Sequence, residues 1–278
     1  MGVKPSVPAR IQTIWPVEFA LEWTRRFVAV QGVDRAMALG AQAYTALIPL
    51  LIVYASLLPR ADSEDFADSL IKEFELRGAT ASTLKRAFAP AGEVESGVTA
   101  LGIFMLVISA LSFTRGMQRL YEGVFGLEKL GVKNTPRALL WLVVVTAFFG
   151  LRPLVLAPFS GTLEVVMTLA LSVLIWLVTP YLMLGRRVSW KRLLPGAVLS
   201  ALGIAGVGIW SVLWMPHTLA SSASQFGLIG IGFALLTWLV AVAGVIVVTS
   251  TGGALIADRI EAARDRRAAR RDAQAITS

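Results

Sequence analysis

Apolar residues in this chain come in long unbroken blocks. Residues 36–58 contain no Asp, Glu, Lys or Arg, and neither do residues 97–114. Between Arg137 and Arg186 only Arg152 and Glu164 are charged. Residues 193–257 again lack all four charged types. A helix needs about 20 apolar residues to cross a hydrocarbon core, so the third and fourth blocks are each long enough for two. Pro158, Ser160 and Gly161 supply turn chemistry in the third block, and "MPHTLASSASQ" (215–225) divides the fourth. The pattern predicts an all-α integral membrane protein with six transmembrane helices, at about 36–58, 97–114, 138–158, 162–184, 193–215 and 226–251.

The segments outside these spans have distinct patterns. Residues 1–35 form an N-terminal segment in which 11–30 mix Trp, Phe and Arg, as an amphipathic helix at a membrane surface does. The loop 59–96 is acidic and places Phe66, Leu70, Ile71 and Phe74 on one helical face. That spacing predicts a short helical hairpin, with Asp62 or Ser63 as its N-cap. The tail 258–278 reads as a basic, solvated helix near anionic lipid.

Charge then orients the bundle. Five Lys/Arg precede the first span, five lie in 115–137, four in 186–192 and six in the tail, twenty on one side. The 59–96 loop has five, offset by eight acids, and 216–225 has none. Basic residues collect on the cytoplasmic side, so both termini are expected there. Arg115, Arg119, Arg186 and Arg187 belong to this cytoplasmic set. The net charge of +8 follows from the same bias, and no nucleic-acid partner is expected. The first long apolar run starts at Ala36, too late and too long for a cleavable leader.

Composition narrows the chemistry. The chain is 56% hydrophobic and 16% charged, where a soluble domain carries about a quarter charged residues. It has no cysteine and one histidine, His217, with no Asp/His/Cys cluster around it. No P-loop is present. No catalytic residue, metal or cofactor is expected.

The remaining signals lie inside the spans. Arg152 falls fourteen residues after Ala138, roughly 21 Å along its helix. Glu164 follows the turn at 158–162. The two either clip spans three and four together or leave Arg152 to bind an anionic headgroup. Gln42, Tyr44 and Thr45, with Pro49 beyond, give span one a polar band that either bridges helices or faces a cavity. Gly196, Ser200, Gly203 and Gly206 allow close helix approach in span five, as "GLIGIG" (227–232) does in span six.

Several stretches resemble the YihY/YhjD/BrkB family of bacterial membrane proteins. "ALGAQAYTALIPLLIV" is similar to that family's first span, and "LSFTRGMQRLYEGVFGLE" (111–128) to its second running into a basic cytoplasmic helix. "YLMLGRRVSWKRLLPGAVLSALG" (181–203) is the most specific match, with a basic pair, Trp190 and Pro195-Gly196-Ala197. "SQFGLIGIGFALLTWLV" (224–240) resembles the last span through Gly227, Gly230 and Trp238. "TSTGGALIAD" lacks the glutamate that often closes that span in the family. The resemblance implies a multi-pass protein of the bacterial plasma (inner) membrane, linked to envelope integrity. Its partners would be membrane lipids, including an anionic lipid or lipid-linked envelope precursor. The old ribonuclease label of some members finds no supporting residues here. A transporter of an anionic amphiphile is the leading expectation, and a non-transporting envelope scaffold the alternative. Nothing in the sequence sets the oligomeric state.

Overall fold

A computed structural model describes residues 15–57 and 96–277. The described residues are helical throughout apart from short turns. Helix α1 is Trp15–Ala29, α2 is Gly32–Leu57 and α3 is Ser96–Val124. A 3-10 turn, Gly131–Asn134, leads into α4, Thr135–Leu156, and α5 is Gly161–Met183. One helical run, Trp190–Thr277, is broken at Gly227 (φ 61, ψ −139). Its arms are α6, Trp190–Gly227, and α7, which begins at Ile229.

Among the described residues five helices are long and apolar enough to cross a membrane: Ala100–Val124, Gly131–Leu156, Gly161–Met183, Trp190–Gly227 and Ile229–Ala269. Helix α2 covers most of the expected first span, and its side chains beyond Leu50 lie outside the described residues. The helical hairpin expected in the 59–96 loop also lies outside them, apart from the start of α3. Long apolar side chains face outward, Leu154, Val212 and Leu213 being 73%, 75% and 77% exposed. Such a surface is a liability in water and the natural one against lipid tails.

The break between the last two helices differs from expectation. Residues 215–225 stay helical, Pro216 included, and the chain reverses at Gly227. The φ of 61° with ψ of −139° is a backbone state that glycine alone adopts without strain. His217 therefore sits on a helix and not in a short loop. The arms then run back along each other as a tight antiparallel pair. Ser200 and Thr249 share a hydroxyl hydrogen bond of 2.9 Å, and Trp238 Nε1 donates to Ser211 Oγ at 2.7 Å. A Cβ built on Gly203 would stand 2.8 Å from the Val245 side chain.

Helix α2 packs mainly against α3 and the α6–α7 pair, and α5 packs against that pair and α4. Helix α4 has few neighbours beyond α5 and α3, so it is the peripheral member. Helix α1 is amphipathic, as its pattern predicts, and spends its key aromatic on protein. Trp23 Nε1 donates to Val248 O (3.0 Å) and Thr251 Oγ1 (3.1 Å), and its ring lies over Gly252. Ion pairs fix the same joint: Arg26–Asp258 (2.6 Å), Arg192–Asp258 (2.7 Å) and Arg259–Glu22 (2.8 Å). They gather α1, the start of α6 and residues 258–259 of α7 at one end of the bundle, called here the basic end.

Candidate functional site

A cavity of about 410 Å³ opens among α3, α4, α5 and α6, with Ile246 of α7 behind it. Its walls are largely apolar, with Phe113, Trp141, Phe148, Phe149, Trp176 and Ile204 prominent. One charged residue lines it, Arg152 of α4. Thr168, Ser172 and Thr179 supply hydroxyls from one face of α5. These three lie at i, i+4 and i+11, a stripe that helical geometry keeps on one side. From Thr168 to Thr179 the stripe runs about 16 Å along the helix.

The cavity is sealed towards the basic end. Trp141 Nε1 donates to Thr179 Oγ1 at 3.0 Å, and that hydroxyl donates to Ile175 O at 2.8 Å. Phe113 stacks beside Trp141 with ring centroids 6.4 Å apart. Trp141 and Thr179 are 7% and 3% exposed, so the floor is packed. Arg152 stands near the other end of α4, the peripheral helix of the bundle. The site thus has an apolar body, a stripe of neutral hydroxyls and one cation towards its far end. An amphiphile with an anionic head has the matching distribution.

Arg152 and Glu164 make no ion pair with each other; among the described residues neither forms one. Glu164 is exposed in the first turn of α5, where the helix dipole favours an acid. Arg152 is half-buried and turned to the cavity. Of the two roles the sequence left open, the geometry leaves Arg152 available to an anion.

The polar band of α2 does not converge. Gln42 lies against Gly116 of α3, its Oε1 2.3 Å from where a Cβ would stand. Tyr44 points its hydroxyl at Gly232 of α7. Thr45 hydrogen-bonds its own helix at Gln42 O (3.0 Å), and Pro49 is buried. Most of the glycines singled out lie at close approaches or turns, but Gly206 does not: a Cβ there would meet nothing within 4 Å, so the close approach expected of it is absent. Gly196 meets Gly253, Gly203 meets Val245 and Thr249, Gly230 abuts Ser222, and Gly227 makes the reversal. Pro195 continues the Gly196 contact, its carbonyl carbon 3.2 Å from a Cβ on Gly253.

The basic residues divide by partner. Arg186, at φ 64 in the turn closing α5, lies over the Tyr181 ring at 5.8 Å, and Tyr181 stacks on Trp190 at 3.9 Å. Arg187 donates to Glu128 O (2.8 Å) and pairs with Glu122 Oε1 (3.4 Å). Arg115 and Arg119 are exposed on α3 and line a groove with Ile108 and Leu111.

A buried polar knot at the basic end escaped the sequence reading. Glu122 is 2% exposed, and its Oε1 accepts from Gln118 Nε2 (2.9 Å) and Leu130 N (2.8 Å) as well as Arg187. Asn134, fully buried, donates to Gln118 Oε1 (3.3 Å) and Met183 O (2.9 Å). The knot ties α3, the 3-10 turn and the end of α5 together. The available signal was Gln118 and Glu122 at i, i+4 within an otherwise apolar helical face. Among the described residues no group of three His, Cys, Asp or Glu is placed to hold a metal ion.

No curated protein and no solved structure matches the chain. The family model for virulence factor BrkB matches residues 23–275, which take in every helix that lines the cavity and the knot. The chain is therefore a multi-pass membrane protein that belongs to the BrkB virulence factor family.

Proposed function

We propose that this protein moves an anionic amphiphile, a lipid or a lipid-linked envelope precursor, across the bacterial plasma membrane. In this reading it supports envelope integrity and performs no enzymatic step. It has six spans, with α2 as the first, and both termini face the cytoplasm. The observation that carries the reading is the cavity with Arg152 as its charged lining residue. A lone cation in an apolar membrane wall is unfavourable by roughly 2.5–3.5 kcal/mol at mid-bilayer, and an anionic headgroup relieves that. The Trp141–Thr179 floor closes the cavity towards the basic end, as alternating access requires of one gate at a time.

The test is lipid movement in proteoliposomes. Fluorescent phosphatidylglycerol and phosphatidylcholine are loaded in separate vesicles, and exposure to an external quencher is followed. The reading expects protein-dependent movement of the anionic lipid, lost in Arg152→Gln. Folded protein that moves neither lipid favours the scaffold instead, for which the exposed, arginine-rich continuation of α7 at 261–269 offers a docking surface.

A further inference from the structure

A second polar site lies between α2 and α3 at the basic end. A crevice of about 350 Å³ runs from Gln31 and Lys129 inward to Gln42 and Gly116. It exists because α3 carries glycines where α2 presents long side chains. Gln42 Oε1 would sit 2.3 Å from a Cβ on Gly116, and Arg35 Nη2 2.7 Å from one on Gly123. The two contacts are seven residues apart on each helix and run in opposite directions, as antiparallel packing dictates.

Two acceptors in this lining have no donor, Gln42 Oε1 and Glu122 Oε2. Glu122 is 2% exposed, and an unsatisfied buried carboxylate oxygen is expensive. The same lining holds three cations, Arg35, Arg119 and Lys129, and a second carboxylate, Asp34. The crevice therefore calls for a ligand with both a hydrogen-bonding cation and an anion. Arg119 is shared with a neighbouring groove of about 430 Å³, lined otherwise by Ile108, Leu111, Ser112 and Arg115. Among the described residues no carboxylate pairs with Arg115 or Arg119. Arg115 and Arg119 are at i, i+4 and Arg119 and Glu122 at i, i+3, each about 5–6 Å apart on the helix surface. A phosphate and a primary amine joined by two carbons span that interval.

We propose that this crevice binds the headgroup of an amine-bearing phospholipid. Its phosphate lies between Arg115 and Arg119, its ammonium on Glu122 Oε2 and Gln42 Oε1, and an acyl chain along Ile108 and Leu111. This site stands apart from the Arg152 cavity and does not depend on transport.

Native mass spectrometry of the full chain in detergent tests it, with equal amounts of phosphatidylethanolamine and phosphatidylcholine. The two share the phosphate, but the choline nitrogen has no N–H to donate. Retention of the ethanolamine lipid should exceed the choline lipid about tenfold, the worth of one charge-assisted hydrogen bond. Arg119→Gln should weaken retention of both. Glu122→Gln should erase the preference, and Gln42→Ala, which leaves the knot intact, should reduce it if Glu122→Gln does not fold. Soluble phosphoethanolamine should displace the lipid only in large excess. Equal retention of the two lipids overturns the proposal, as does a preference indifferent to Arg119→Gln and Gln42→Ala. Displacement by soluble phosphoethanolamine at equal concentration also overturns it, since the occupant would then be a free amino-phosphate.

Discussion

Gly253 faces Gly196 where α6 and α7 cross, and the contact is lopsided. A Cβ on Gly253 would stand 2.1 Å from Gly196 Cα, whereas one on Gly196 would stay 3.8 Å from Gly253 Cα. The obstacle in the first case is backbone, which cannot rotate aside. Gly253→Ala should therefore destabilise by about 1–3 kcal/mol, the usual range for overpacking. Gly196→Ala meets only ordinary contact and gains helix propensity, so it should stay within about 1 kcal/mol of the parent. Thermal unfolding of both variants in detergent checks the order. Equal losses would mean that the helices cross elsewhere.

Arg152 and Glu164 separate on the same logic of contacts. Because no ion pair joins them, Glu164→Gln should leave folding and lipid movement near the parent values. Arg152→Gln should abolish movement of the anionic lipid while the unfolding temperature holds or rises, since a cation leaves an apolar wall. The double variant should match Arg152→Gln alone. Recovery of lost stability in the double variant, measured by scanning fluorimetry, would restore the clip.

Blocks of apolar residues announced the helices because spanning length is dictated by the bilayer, not by neighbours. The same pattern misplaced the last reversal. Polar residues in 215–225 mimic a loop, while the deciding feature is the φ of 61° at Gly227. Arg152 was visible as a lone charge in an apolar run, but its lack of an ion pair with Glu164 was not, because sequence proximity says nothing about which way each side chain turns. Trp141 and Thr179 carry no signal in a greasy helix until packing brings them to 3.0 Å. Glu122 was hidden for a different reason: it lies next to a basic loop and reads as one more surface charge, although it is buried.

Glu122 and Asn134 should be among the residues least tolerant of change. Asn134→Leu strands the Met183 carbonyl and Gln118 Oε1, a loss of about 1–3 kcal/mol. Glu122→Leu removes the partner of Arg187 and of the Leu130 amide, and should exceed it at about 3 kcal/mol. Arg187→Leu combined with Glu122→Leu should recover part of that loss. Additive losses in unfolding experiments would show that the charge pair contributes nothing beyond its separate parts.

Orientation is checked by reporters. With twenty basic residues assigned to the cytoplasmic side, fusions after Pro90 and after Ser278 should give opposite signals, the first outside and the second inside. Identical signals would remove one span or add one, and an outside signal from the Ser278 fusion would also reverse the side from which the cavity fills.

The joint between α1 and α7 gives the last expectation, a pH dependence with a definite sign. The hydrogen bond from Arg259 holds the Glu22 carboxyl below its ordinary value of 4.5; burial, the next influence, opposes this, and the charges of Arg259 and Arg26 add to the lowering. A carboxyl whose pKa is depressed on folding stabilises the folded state above the unfolded pKa. That stability is lost as pH falls through the folded value. The contribution should thus be complete at pH 7 and fade below about 4.5. Glu22 is 40% exposed, so solvent screening keeps the effect under about 1 kcal/mol. The parent should unfold at slightly higher temperature than Glu22→Gln at pH 7, and the two curves should merge as pH falls through the lowered folded-state value. Moderate salt should shrink the gap at pH 7, because the pair is exposed. A gap that persists undiminished at low pH would mean that glutamine disturbs the packing of Trp23 on Gly252, and that charge is not what docks α1.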